Sequence, residues 1–137
     1  MLKFSFSLIF VLIISINTSY AKNIDELYEE ALNSFNNKEY GKSIVLLKEA
    51  MFQNPKHLSG RILLGRSFLL SRQFQGAENQ FRQALIDGAD KSQILIPLGQ
   101  SLLFQGKFEP LLDIIKLAPN SINEVEILSM RGRAYFE

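Results

Sequence analysis

The chain has 137 residues, with 15 basic against 14 acidic side chains, one histidine and no cysteine. That balance lacks the basic excess of a nucleic-acid surface or a polybasic membrane patch, and the missing cysteines exclude disulfides and thiolate metal sites. The length suits one modest domain held together by packing alone.

Lys3 precedes an almost unbroken apolar run from Phe4 to Ile16, and Ser19-Tyr20-Ala21 follows with small residues at the two positions a signal peptidase reads. The run is 13 residues, short of the roughly 20 that a lasting transmembrane helix needs. Residues 1–21 therefore read as a cleaved export signal, with an uncleaved N-terminal anchor as the alternative. No cysteine follows the run, which excludes a diacylglyceryl lipid anchor. Cleavage after Ala21 leaves 116 residues, in which the 14 basic and 14 acidic side chains cancel.

From Ile24 onward apolar residues recur at helical spacing and no strand-like alternation competes with them. Asn23 with Glu26 forms a capping pattern, which opens a helix running to about Asn36. Asn37-Lys38 breaks it, and a partner helix starts near Tyr40 and ends before Pro55. Leu58–Leu70 and Phe74–Ile86 repeat the pair, with Gly88 placed to end the second helix. Ser92–Phe104 and Phe108–Leu117 form a third pair around Gly106. Ser121 with Glu124 is a second capping pattern, which opens a last helix to the chain end.

Internal repetition fixes the architecture more firmly than any single helix. Steps of 34 residues connect the small residues Ala31, Gly65 and Gly99, with Gly132 one residue out of step. The same step connects the aromatic column Tyr40, Phe74 and Phe108, the large apolar column Leu47, Phe81 and Ile115, and the small column Ala50, Ala84 and Ala118. Small residues let facing helices approach closely, and neighbouring hairpins bury each other's apolar faces.

The period and its columns resemble the tetratricopeptide repeat. Repeat one, residues 24–57, carries Leu27, Ala31, Tyr40, Ala50 and Pro55 at signature positions. Repeat two, residues 58–91, matches best through Leu64-Gly65, Phe68, Phe74, Ala77, Phe81 and Ala84-Leu85. It departs at Arg61, where the family has an aromatic, and at Ala89, where it has a closing proline. Repeat three, residues 92–119, keeps Leu98-Gly99, Leu102, Phe108 and Ala118. Pro97 inside its first helix predicts a bend, and Pro119 ends its second helix early. A half repeat, residues 122–137, offers only a first helix with Leu128, Gly132 and Tyr135. The resemblance implies an all-α, right-handed solenoid of about three and a half hairpins in a single domain over residues 22–137.

A narrower similarity is to the long exported repeat proteins of the exosortase and PEP-CTERM system. It rests on Gly65-Arg66, the run from Phe81 to Leu85, the Gly88-Ala89-Asp90 turn, and the run from Leu102 to Phe108 with Leu111-Leu112. That similarity implies a periplasmic or envelope location in a Gram-negative bacterium and an association with exopolysaccharide assembly or protein sorting.

Residues of catalytic type do not converge. His57, the lone histidine, stands at the turn between hairpins and reads as a solvated turn residue. Asp25-Glu26 and Glu29-Glu30 are sequence neighbours about 100° apart on a helix, so they do not face one site; the positive end of the helix dipole accounts for them. Gly65, Gly99 and Gly132 sit inside helices and do not cradle a phosphate. The expectation is a non-enzyme without cofactor or metal.

The resemblance also places a partner groove on the first helices. Its register gives Tyr28, Leu32, Phe35 and Asn36; then Ile62, Arg66, Leu69 and Leu70; then Ile96, Gln100, Leu103 and Phe104; then Ser129, Arg133 and Phe136. Such a surface suits an extended peptide or a partner helix, with Arg66 foremost in reading a carboxylate. The competing reading assigns several of the leucines and isoleucines to the core between repeats. Leu32 replaces an amide that the family's chaperone-tail clamp uses, so that clamp is not formed. Two functions follow: an exported scaffold with a protein or peptide partner, or a periplasmic component that contacts the polysaccharide itself. The absence of tryptophan favours the scaffold.

The last helix carries Ile127, Leu128, Met130, Ala134, Tyr135 and Phe136, too apolar for a finished cap. The expectation is a fragment of a longer array, with self-association through this open helix. A lone helix acting as a solvating cap is the alternative.

Overall fold

The first helix opens on a reciprocal cap: Glu26 N–H donates to Asn23 Oδ1 at 2.9 Å, and Asn23 N–H donates to Glu26 Oε2 at 3.3 Å. The structure, a computed structural model, describes residues 22–116 and 124–136. The export signal, the Ser121 cap, Ala118 and Pro119 lie outside the described residues. Among the described residues there are seven helices and no strands. They are α1 (Ile24–Asn36), α2 (Tyr40–Gln53), α3 (Leu58–Leu70), α4 (Phe74–Ile86), α5 (Lys91–Leu103), α6 (Phe108–Lys116) and α7 (Glu124–Phe136). For α1 to α5 the boundaries expected from periodicity and turn residues fall within a residue or so of these; the expected end of α6 and start of α7 lie outside the described residues.

Each helix packs on the next, so α1–α2, α3–α4 and α5–α6 are hairpins and α7 stands without a described partner of its own. First helices also touch first helices, α1 on α3, α3 on α5 and α5 on α7, whereas α2 and α4 do not meet. The first helices therefore make one continuous face and the second helices a separated one. No helix among the described residues is long and apolar enough to cross a membrane.

The small columns and most of the large apolar column enter the core, while the aromatic column Tyr40, Phe74 and Phe108 and Ile115 stay half-buried. Leu27, Ala31, Leu47, Ala50, Ala77, Phe81, Ala84, Leu98 and Leu111 are fully buried. Gly65 lets the Phe81 ring approach so closely that a Cβ there would stand 2.7 Å from Cε1. At Gly99 the equivalent space is bounded by Met130 Sδ at 3.1 Å and Leu111 Cδ1 at 3.3 Å. Gly132 meets nothing within 4 Å.

Pro97 does not interrupt α5, which is continuous from Lys91 to Leu103. Its ring removes one donor, the one that would serve the carbonyl of Gln93, and Gln93 stands on an exposed stretch. Helix α6 is described from Phe108 to Lys116.

The turns inside the hairpins share one closure. Glu39 N–H donates to Ser34 O at 2.8 Å, Gln73 N–H to Phe68 O at 2.8 Å, and Lys107 N–H to Leu102 O at 3.0 Å. Each is the long bond of a helix C-terminal motif that needs one left-handed residue. That residue is Lys38, Arg72 or Gly106, again 34 apart. Gly88, at φ +93°, does the same after α4, and Ala89 N–H donates to Ala84 O at 2.8 Å. Proline at 89 would lack that donor, which accounts for the departure from the family pattern.

Candidate functional site

On the first-helix face a cleft of ≈ 200 Å³ opens between α1, α3 and the start of α5, lined by Tyr28, Leu32, Ser59, Ile62, Leu63, Arg66 and Gln93. Helical spacing puts Tyr28 and Leu32 on one wall and Ser59, Ile62, Leu63 and Arg66 on the other. Arg66 is exposed and forms no ion pair with another described residue. It is the one charged side chain in the lining, set over apolar walls. The Tyr28 ring stands edge-on to His57, centroids 5.3 Å apart. His57 is half-buried and not a freely solvated turn residue, because Nδ1 accepts from Gly60 N–H at 3.1 Å and caps α3.

The other expected groove residues have different places. Phe35 packs edge-on to Tyr40 at 5.6 Å and closes the first hairpin. Leu69 and Leu103 are half-buried against the core. Gln100 donates Nε2–H to Glu126 Oε1 at 2.6 Å and so ties α5 to α7. Phe104 stacks on Phe74, centroids 4.9 Å apart and rings 20° from parallel. Asn36 and Arg133 are exposed, each away from the cleft lining. The structure thus brings Tyr28, Leu32, Ile62 and Arg66 together. Ser59 and Gln93, which sequence reasoning passed over, join them. They are 34 apart, so the repeat step itself would have linked them.

A second cleft, ≈ 390 Å³, lies where α2 and α4 separate, lined by Lys48, Met51, Phe52, Pro55, Arg61, Leu64, Phe68 and Gln80. Its cations are engaged within the chain. Lys48 Nζ sits 5.6 Å from the Phe68 ring centre, and Arg61 Nε is 2.9 Å from the Asp87 carboxylate. Arg61 also donates to Gln80 Oε1 at 3.3 Å and to the Pro55 carbonyl. At the place where the family carries an aromatic, Arg61 fastens α3 to α4 and to the preceding turn.

Between the second and third hairpins lies an ion network. Glu78, with a side chain only 8% exposed, accepts from Lys107 at 2.7 Å, Arg82 at 2.8 Å and Gln105 at 3.0 Å. Burial pushes its carboxyl up, but the bonds from Lys107, Arg82 and Gln105 outweigh that and hold it below the ordinary value. Both carboxylate oxygens accept from donors of this chain, Oε1 from Arg82 and Oε2 from Lys107 and Gln105, so the network is structural. No group of three or more His, Cys, Asp or Glu side chains that could hold a metal occurs among the described residues.

The serial hairpins, their 34-residue columns and their shared turn closure define a tetratricopeptide-like all-α fold. Among solved structures the chain is similar to the tetratricopeptide domain of Sgt2 from Aspergillus fumigatus, with a TM-score of 0.68 at 17% identity, over 82% of this chain and 77% of that one. At that identity the likeness carries the fold alone. No protein-family model matches the chain. No curated protein matches it either.

Proposed function

We propose that this chain is an exported scaffold that takes a protein partner in the first-helix cleft. The observation that carries the reading is Arg66, a guanidinium without an ion pair among the described residues, placed over Tyr28, Leu32 and Ile62. A cation over apolar walls suits a peptide that presents a carboxylate beside an apolar side chain. The second cleft is wider, but its cations are already engaged. Export is supported by the apolar run from Phe4 to Ile16 and the Ser19-Tyr20-Ala21 site, with the first described helix opening at Ile24 just beyond them. The Gly88-Ala89-Asp90 turn supports a role beside exopolysaccharide assembly and PEP-CTERM protein sorting.

Direct contact with the polysaccharide is the weaker reading. Of the four groove aromatics that would stack on sugars, Tyr28 packs on His57, Phe35 on Tyr40 and Phe104 on Phe74, which leaves Phe136 exposed and alone rather than part of a stacking platform.

The test is an array of acidic peptides, each as free acid and as amide, probed with the wild type and Arg66→Glu. Binding of free acids that weakens at least about tenfold in the variant, with helicity unchanged, is the expected result. Equal binding by both proteins would remove the cleft from the function. For export, N-terminal sequencing of the envelope fraction should begin at Lys22; a product that retains Met1 would mark an anchor.

A further inference from the structure

We infer, on the reading of the first-helix cleft as a partner's site, that Gln93 sets its specificity: it leaves Arg66 to a partner's carboxylate and donates a second hydrogen bond to that group. Two successive junctions between first helices, α3 with α5 and α5 with α7, share one frame. Steps of 34 and 33 residues carry Arg66 onto Gln100 and Gln93 onto Glu126. Gln93 and Glu126 are each the third residue of their helix. At the later junction the two side chains meet, with Gln100 Nε2–H donating to Glu126 Oε1 at 2.6 Å. A donor late in one first helix thus reaches an acceptor in the opening turn of the next.

The earlier junction keeps that frame and changes its chemistry. Arg66 takes the donor's place, Gln93 takes the place of the acid, and both line the ≈ 200 Å³ cleft. An amide neutralises no charge, and none of the lining residues is acidic. The guanidinium therefore has no counter-ion among the described residues. A carboxylate from outside would supply at the earlier junction what Glu126 supplies from within at the later one. Arg66 offers it a planar fork of N–H donors and Gln93 offers an amide NH₂ from α5; a carboxylate has acceptor positions enough for both. Tyr28, Leu32 and Ile62 then take the apolar side chain beside it. An acid at position 93 would close the cleft from within, so the amide there is what makes it a binding site.

Two measurements test this. Without ligand, Gln93→Glu should copy the pairing of the later junction into the earlier one. Its melting temperature should rise by about 1–4 °C more with Arg66 in place than in an Arg66→Gln background. An acid in the opening turn of α5 suits the helix dipole in either background, so the difference between them reports the pairing. With ligand, the probe is the tightest free-acid peptide of the array described above, followed by titration calorimetry. Gln93→Glu should weaken it at least about tenfold although Arg66 is intact. Gln93→Leu, which removes the donor and adds no charge, should weaken it about two- to tenfold. Equal melting shifts in the two backgrounds overturn the role of Gln93, and so does a Gln93→Glu chain that binds the peptide as tightly as the wild type. Binding lost in Arg66→Glu but kept in Gln93→Glu removes Gln93 and leaves the cleft in use. Binding kept in both, or an array without a free-acid binder, removes the cleft itself and Gln93 with it.

Discussion

Lys38 and Arg72 pay a conformational cost that Gly106 does not. All three occupy the left-handed region at φ 63°, 63° and 69°, where a Cβ crowds the following carbonyl by about 1–2 kcal/mol. The hairpin turn imposes the conformation, since only it aims the next N–H back at the helix. Arg72→Gly should therefore stabilise the fold, by a few tenths to about 1 kcal/mol once the larger entropy of an unfolded glycine is subtracted. Gly106→Ala should destabilise it by about 1 kcal/mol. Thermal melts of the two variants, moving in opposite directions, check both. His57 shows the same economy, since one ring caps α3 and packs on Tyr28. Its neighbours in sequence announce neither role.

At the scale of the helix, two glycines with the same local propensity have opposite uses. Inside a helix glycine costs about 1 kcal/mol relative to alanine, so either replacement ought to help. Gly65 faces the fully buried Phe81 ring at 2.7 Å from a would-be Cβ, and that ring has nowhere to move. Gly65→Ala should cost about 1–3 kcal/mol by overpacking, while Gly132→Ala should gain about 0.5–1 kcal/mol. Denaturant midpoints with an unchanged slope would show both effects as stability changes. Helix α3 is well enclosed, with Gly60, Leu63, Leu64, Gly65, Ser67 and Phe68 all buried. Its serines are accommodated by local bonds: Ser67 donates its hydroxyl to Leu63 O at 2.8 Å and lies 3.1 Å from the Ser43 hydroxyl.

Across the whole array, the second and third hairpins are joined through Glu78. Its carboxyl is held below the ordinary value of 4.5, so the folded state binds its proton less readily than the unfolded chain. The stabilisation is complete above the ordinary value and is lost as pH falls through the lower value of the folded state. Glu78→Gln should remove that part of the acid dependence; urea midpoints measured from neutral pH down to about pH 3 check the sign. Among the described residues no helix follows α7. Helix α7 touches α5 and α6 on one side only, so its amides should exchange faster than those of α3 and α4 at concentrations where the chain is monomeric. Equal protection in a monomer would show that one-sided packing suffices.

The seven helices, their hairpin pairing and the order of the core columns were legible in the sequence, because all depend on local spacing and a fixed repeat. Buried residues such as Ala31, Leu47, Phe81 and Ala84 declared themselves by standing 34 residues from residues of like size. The candidate cleft was half legible. Tyr28 and Arg66 lay in the expected register, but Phe35 and Phe104 in that same register are taken up by Tyr40 and Phe74. Periodicity gives the face of a helix on which a side chain stands; it does not say which neighbour arrives there first. Helix α5 runs on through Pro97, because one missing donor near an exposed stretch leaves the rest of the helical bonds intact. Arg61 fastening α3 to α4 and the pairing of Glu78 with Arg82 and Lys107 were decided only by tertiary packing. Each depends on distances between residues far apart in the chain, and pattern along a chain carries no such distances.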